Sequence, residues 1–157
     1  MMDPKTAELL ARTWKDTPYV RGGRIKGAGI DCGTLLAEHL IGIGNCTTEE
    51  MDQVVHDLGF LSNDWFCHAT VEKYRKVLEH FAPLSWEGIC RGVYPEMPGC
   101  IALFRVVKTD LYNHGAILLS KGRAMHAVYP KVTEMRPTLH PMTAFREMAI
   151  FDPWGRK

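Results

Sequence analysis

Three residues of this chain are of a type, and in a setting, that could carry nucleophilic acyl chemistry. Cys32 stands where the glycine-rich stretch "GGRIKGAGID" (22–31) gives way to "CGTLLAEHLIGIG" (32–44), in which Leu35, Leu36, Leu40 and Ile43 recur on one side at helical spacing. A cysteine on the first turn of a helix meets aligned peptide dipoles and free N–H groups, which lower a thiol pKa and supply donors for an oxyanion forming beside the sulfur. Such a nucleophile also needs an imidazole to take its proton and a third polar group to fix that imidazole's tautomer. His114 opens the apolar run "HGAILLS", and His126 lies in "AMHAV" twelve residues on, across a break at Lys121 and Gly122. If the two runs pair as a hairpin about that break, the histidines share one face. Residue types and spacing leave two readings open: a Cys-His-His relay, or a pair of half-buried strand histidines.

The elements that would position these groups follow from the pattern. Asp3 and Pro4 form an N-cap and first helical turn, and Leu9, Leu10 and Trp14 continue a helix over about 4–15. Thr17-Pro18 ends it, and the glycines at 22, 23, 27 and 29 mark an irregular loop leading to the Cys32 helix, which runs to Gly42 or Gly44. Residues 45–92 read as a helical insert. It holds "TTEEMDQVVHDLG", with a capping box from Thr47 to Glu50, and "DWFCHATVEKYRKVLEHF". After "PEMPG", the runs "CIALFRVV", "HGAILLS", "RAMHAVY" and "REMAIFD" read as hairpin-connected strands. Helices first and strands after predict one α+β domain over 1–157, with the Cys32 helix on one face of an antiparallel sheet.

Composition narrows the function. The chain has 157 residues, 46% of them hydrophobic, which suits a single core. Nineteen basic against eighteen acidic residues give +1, so no global charge favours nucleic acid or an anionic membrane. There is no membrane-length apolar run and "MMDPKTAELL" lacks the layout of a signal peptide, so the chain is expected in the cytoplasm as synthesised. Five cysteines at 32, 46, 67, 90 and 100 do not form a disulfide framework. No phosphate or dinucleotide loop is spelled, since Cys32 falls where a third glycine is required and no strand pattern precedes it, and no cofactor is expected. Cys46, His56, Cys67 and His68 fit no zinc spacing. His39 lies two turns beyond Cys32, too far for base chemistry. His56, His80 and His140 read as surface or capping residues, and Trp14, Trp65, Trp86 and Trp154 as core.

Three blocks resemble the NlpC/P60 family. "ARTWKDTPYVRGGRIKGAGIDCGTLL" (11–36) is similar to its tyrosine turn, glycine-rich loop and Asp-Cys pair; "PGCIALF" (98–104) to the strand before the histidine; and "HGAILLSKGRAMHA" (114–127) to the histidine strand and its successor. The resemblance covers about half the chain. It implies a papain-like fold and a cysteine peptidase or amidase that cuts peptidoglycan stem peptides at the γ-D-glutamyl–diaminopimelate bond. Cys32 matches the nucleophile, His114 the base and His126 the orienting residue. Tyr19 matches a tyrosine lining the site, with Asp31 and Gly33 beside the nucleophile as substrate or oxyanion candidates. The "GRxKGxGxDC" loop looks most like the small phage-tail and gene-transfer-agent branch, which implies tail proteins as partners and a place in the virion tail. The sequence departs from the family where Gly33 and Thr34 replace the usual serine and glycine after the cysteine, and where Cys100 replaces the aspartate of "PGD". The competing readings are a catalytically silent tail protein and a thiol acyltransferase or amidase acting on another γ-glutamyl or isopeptide bond.

Overall fold

In the computed structural model, residues 1–59, 73–106 and 111–155 are described. Among the described residues, four helices precede a six-stranded sheet: α1 (Pro4–Arg12), α2 (Cys32–Gly42), α3 (Thr48–Asp57) and α4 (Lys73–Phe81). A two-stranded ribbon, β1 (Arg24–Ile25) and β2 (Gly29–Ile30), lies between α1 and α2. The main sheet is built from β3 (Leu84–Ile89), β4 (Ile101–Phe104), β5 (His114–Leu118), β6 (Ala124–Ala127), β7 (Val132–Met135) and β8 (Glu147–Phe151), antiparallel in the order β3-β8-β4-β5-β6-β7. No helix among the described residues is long and apolar enough to cross a membrane.

Helix starts follow their capping residues. Asp3 accepts from Thr6 N–H at the start of α1, and Thr47 and Glu50 close the expected capping box at the start of α3, at 3.1 and 2.7 Å. The sheet alternates as a two-faced layer should. Ile101, Leu103, Ile117, Met125 and Ala149 join α2 in one apolar cluster, while Ala102, Phe104, Ala116, Leu118 and Ile150 form a second on the other face. Helix α2 lies on β5 and β6, and Gly115 permits the approach. A Cβ there would stand 2.4 Å from Leu36 Cδ1 and 3.3 Å from Leu103 Cδ2, so a larger residue forces the packed leucines of α2 and β4 to shift.

Three elements differ from the sequence expectation. The loop before Cys32 is not irregular throughout: β1 and β2 pair as Arg24↔Ile30 and Ile25↔Gly29, so a short strand does precede α2. Strands of two residues carry no readable periodicity. Residues 45–92 are not all helical, because β3 forms the edge of the main sheet on β8. Its exposed positions Leu84 and Ile89 break the apolar alternation by which a strand is recognised. β7 ("VTEM") was likewise hidden in a mixed segment, and pairs with β6. Residues 64–72 of the second insert helix, with Trp65, Cys67 and His68, lie outside the described residues.

Candidate functional site

The hairpin that carries the histidines turns at Lys121 and Gly122, both in the left-handed region at φ 60° and 69°. That is the geometry of a tight hairpin whose twist matches its strands. Register is fixed by Ile117↔Met125 and Leu118↔Ala124, so His114 and His126 fall on the same side of the pleat. Their rings meet edge to face with centroids 5.2 Å apart, and His114 Nε2 and His126 Nδ1 are 3.0 Å apart in a hydrogen bond. The bond leaves His114 Nδ1 as the nitrogen able to take a proton from a nucleophile. In that role Nε2–H donates to His126 Nδ1, which sets His126 as the Nε2–H tautomer. His126 Nε2 is buried and has no hydrogen-bond partner among the described residues, and the ring of His140 packs edge to face on His126 at a centroid distance of 5.0 Å.

Cys32 is the first residue of α2, set there by the Asp31 cap. Asp31 Oδ1 accepts from Gly33 N–H and Thr34 N–H at 2.9 and 2.8 Å; Thr34 Oγ1 accepts from Asp31 N–H at 3.0 Å and donates to Gly23 O at 2.6 Å. The other carboxylate oxygen accepts from Gly22 N–H at 2.5 Å. One fully buried carboxylate thus ties both ends of the ribbon to the start of α2. Burial raises its pKa, and the donated bonds from Thr34, Gly22 and Gly33 oppose the rise. Both oxygens of Asp31 accept hydrogen bonds, and Gly33 N–H, which donates to Oδ1, also acts to lower the pKa of the Cys32 thiol.

Tyr19, Cys32 and His114 line one depression of about 410 Å³ with Ala127, Val128, Tyr129 and Met142. Tyr19 is held between two neighbours: its N–H donates to Pro130 O at 2.8 Å, and it bridges to Ile30. The sequence-designated nucleophile, base and tyrosine therefore share a cavity, with His126 buried behind His114. Among the described residues the hydrogen-bond partner of the Cys32 sulfur is Tyr74 Oη, at 3.1 Å, and not His114. Tyr74 belongs to α4 and was not singled out in the sequence. At helical spacing it reads as a core aromatic beside Val77, Leu78 and Phe81, and nothing local marks its hydroxyl as facing a thiol 42 residues away in sequence.

The electrostatics reverse one expectation. Burial pushes the Cys32 thiol up to about 11, and the bond from Tyr74 only partly opposes it. His114 is held down to about 3, first by burial and then by His126 and His140, and His126 down to about 4 by burial and His140. The helix terminus does not outweigh desolvation, so the resting pair is thiol and neutral imidazole rather than thiolate and imidazolium. His140 is half-buried and does cap a turn, accepting from Met142 N–H at 3.1 Å, but it also packs on His126 and depresses both catalytic candidates. His39 is fully buried and donates from Nε2 to Gly99 O at 2.8 Å, so its part is to fasten α2 to the turn before β4. Cys100, where the family has aspartate, contacts Asp152 Oδ1 at 3.6 Å. Cys32, Cys46, Cys90 and Cys100 are buried and in no disulfide among the described residues, where no group of three His, Cys, Asp or Glu could hold a metal ion.

The fold, four helices and an antiparallel sheet with α2 packed on β5 and β6, is that of NlpC/P60 domains. The NlpC/P60 domain of the peptidoglycan hydrolase SagA superposes with a TM-score of 0.58 over 95% of this chain and 98% of that chain, at 14% identity. NlpC1 from Trichomonas vaginalis superposes with a TM-score of 0.54 at 19% identity, over 93% of this chain and 43% of its own. No protein-family model and no curated protein sequence matches the chain.

Proposed function

We propose that this protein is a cysteine peptidase or amidase that hydrolyses peptidoglycan stem peptides through Cys32, His114 and His126. The observation that carries the reading is the 3.0 Å bond from His114 to His126 behind a depression that Cys32 and His114 share. As substrate enters, His114 Nδ1 takes the thiol proton while the sulfur attacks the scissile carbonyl carbon, and the carbonyl π pair moves onto oxygen. The tetrahedral intermediate collapses to a thioester, and the proton on His114 passes to the leaving amine. Water, deprotonated by the same nitrogen, then cleaves the thioester and restores the thiol. His126 holds the tautomer throughout, and Tyr19 lines the cavity where the substrate carbonyl lies.

The substrate class is supported by the likeness to the SagA domain, which is described as part of a peptidoglycan hydrolase. The γ-D-glutamyl–diaminopimelate bond and a place in a phage tail rest on the sequence blocks at 11–36 and 114–127 and on the form of the glycine loop. In that setting the chain is made in the cytoplasm and reaches the wall within the virion tail. The test is incubation of the purified protein with muropeptides and with L-Ala-γ-D-Glu-diaminopimelate, beside Cys32→Ala. Cleavage that depends on Cys32 is expected; no Cys32-dependent product from any stem peptide would remove the peptidase reading.

A further inference from the structure

We propose that α4 supplies a further catalytic residue: the hydroxyl of Tyr74 donates a hydrogen bond to the Cys32 sulfur and stabilises the thiolate as its proton leaves for His114. This rests on the reading of Cys32 as nucleophile. Tyr74 comes from α4, which has no counterpart in the three matched sequence blocks, so α4 completes the site.

Geometry carries the assignment. Tyr74 Oη lies 3.1 Å from the sulfur, and the ring is 2% exposed, packed in the same apolar cluster as Leu35, Val77 and Leu78. A phenol is a far better donor than a thiol, and a thiol sulfur is a better acceptor once ionised, so the bond runs from Oη to Sγ and strengthens as charge forms. The thiol hydrogen is then free to turn toward His114, and the phenolic hydrogen stays on oxygen.

The surroundings keep Tyr74 a donor. The groups facing the pair are Asp31 at the helix cap, Tyr19, His114 on β5 and His126 on β6, with His140 behind; on α4, Arg75 is engaged with Glu79 and Glu87 at 2.7 and 2.9 Å. Burial, Cys32 and Asp31 all raise the phenol's pKa, so it does not ionise in competition with the thiol. Against the desolvation that raises the Cys32 thiol, the bond from Tyr74 is the largest opposing influence.

The experiment is the rate of Cys32 reaction with a dithiodipyridine at pH 8 to 9, located by peptide mass spectrometry, in the wild type and Tyr74→Phe. A hydrogen bond to a charged group sets the thiolate population by about 10- to 150-fold. The greater intrinsic nucleophilicity of a more basic thiolate returns about half of that on a logarithmic scale, so Tyr74→Phe should react about 3- to 12-fold more slowly. kcat/KM on the stem peptide should fall by a similar or larger factor, with KM nearly unchanged. 3-Fluorotyrosine placed at position 74 keeps the ring and sharpens the donor, and should raise the rate, which covers the case of a poorly folding phenylalanine variant. An unchanged rate in Tyr74→Phe overturns the proposal, and so does a faster one, which would make the tyrosine a shield. If the wild type cleaves no stem peptide the functional reading fails alone, since the thiol reaction still decides the role of Tyr74.

Discussion

Acidification from pH 7 to pH 5 should remove much of this protein's stability, because three histidines are folded into it uncharged. His39, His114 and His126 are between 0% and 3% exposed, and their pKa values are held down to about 4, 3 and 4. Each ionises near 6.5 in the unfolded chain, so below that pH the unfolded state binds a proton that the native state refuses. Above about pH 6.5 both states are neutral and nothing is lost. Between there and about pH 4 each histidine tilts the balance toward unfolding by about 1.4 kcal/mol per pH unit. At pH 5 that is about 2 kcal/mol apiece and about 6 kcal/mol together, against a total stability on the order of 5–15 kcal/mol for such a domain. Asp31, whose carboxyl is pushed up by burial, works in the opposite sense at lower pH, and the depressed carboxyls of Glu8, Asp3 and Asp16 add to the loss there. The window from pH 7.5 to 5 therefore isolates the histidines. Urea unfolding followed by tryptophan fluorescence at several pH values in that window measures the slope. His39→Gln keeps a donor to Gly99 O and should flatten it by about one third. A loss below about 2 kcal/mol over the whole window would mean that at least two of these imidazoles are charged inside the fold, and would refute the neutral site.

Other perturbations read other parts of the arrangement. Gly115→Ala places a methyl group 2.4 Å from Leu36 Cδ1, and should cost about 2 kcal/mol or more in urea unfolding and lower Cys32-dependent cleavage by lifting α2 from β5. Asp31→Ala removes the α2 cap and strands Gly22 N–H; a thermal melt should show a loss of about 2 kcal/mol, smaller for Asp31→Asn, which retains an acceptor. His126→Ala should lower kcat by roughly 100-fold with little change in KM in a peptide-cleavage assay, because it frees the His114 ring to take the wrong tautomer. Wild-type Cys32 should show no alkylation plateau below pH 8, with its rate still climbing through pH 9 to 10, since burial pushes the thiol up to about 11.

The site was legible where chemistry is written locally. A cysteine after an aspartate at the start of an apolar helix, and two histidines twelve residues apart across a Lys-Gly turn, are patterns of spacing; the hairpin register puts those histidines on one face, where they share a hydrogen bond. The pKa of Cys32 was not legible, because the dipole that lowers it belongs to the helix while the burial that raises it comes from elements remote in sequence, α4 among them. Tyr74 was hidden for the same reason, its role being fixed by where a helix end lands and by no feature of its own neighbourhood. β3 and β7 escaped because edge and mixed strands need not alternate, and the β1–β2 ribbon because two residues are shorter than any period. His140 looked like a turn residue and is one; its packing on His126 is decided by the path from β7 to β8.

The neutral pair and the histidine at position 126 belong together. A carboxylate in that place would draw His114 toward the imidazolium and favour a standing thiolate beside it. His126 instead fixes the tautomer by a hydrogen bond without adding negative charge, and His140 behind it further disfavours protonation. Charge then separates only when a carbonyl is present to carry it, with the negative charge passing from sulfur to the forming oxyanion. A thiolate is the form that oxidants attack, so a thiol kept neutral by burial resists oxidation in the resting protein. The groups that desolvate the sulfur thus set both the barrier to its ionisation and its protection, and the donor contributed by α4 lowers the barrier at the atom where the charge first appears.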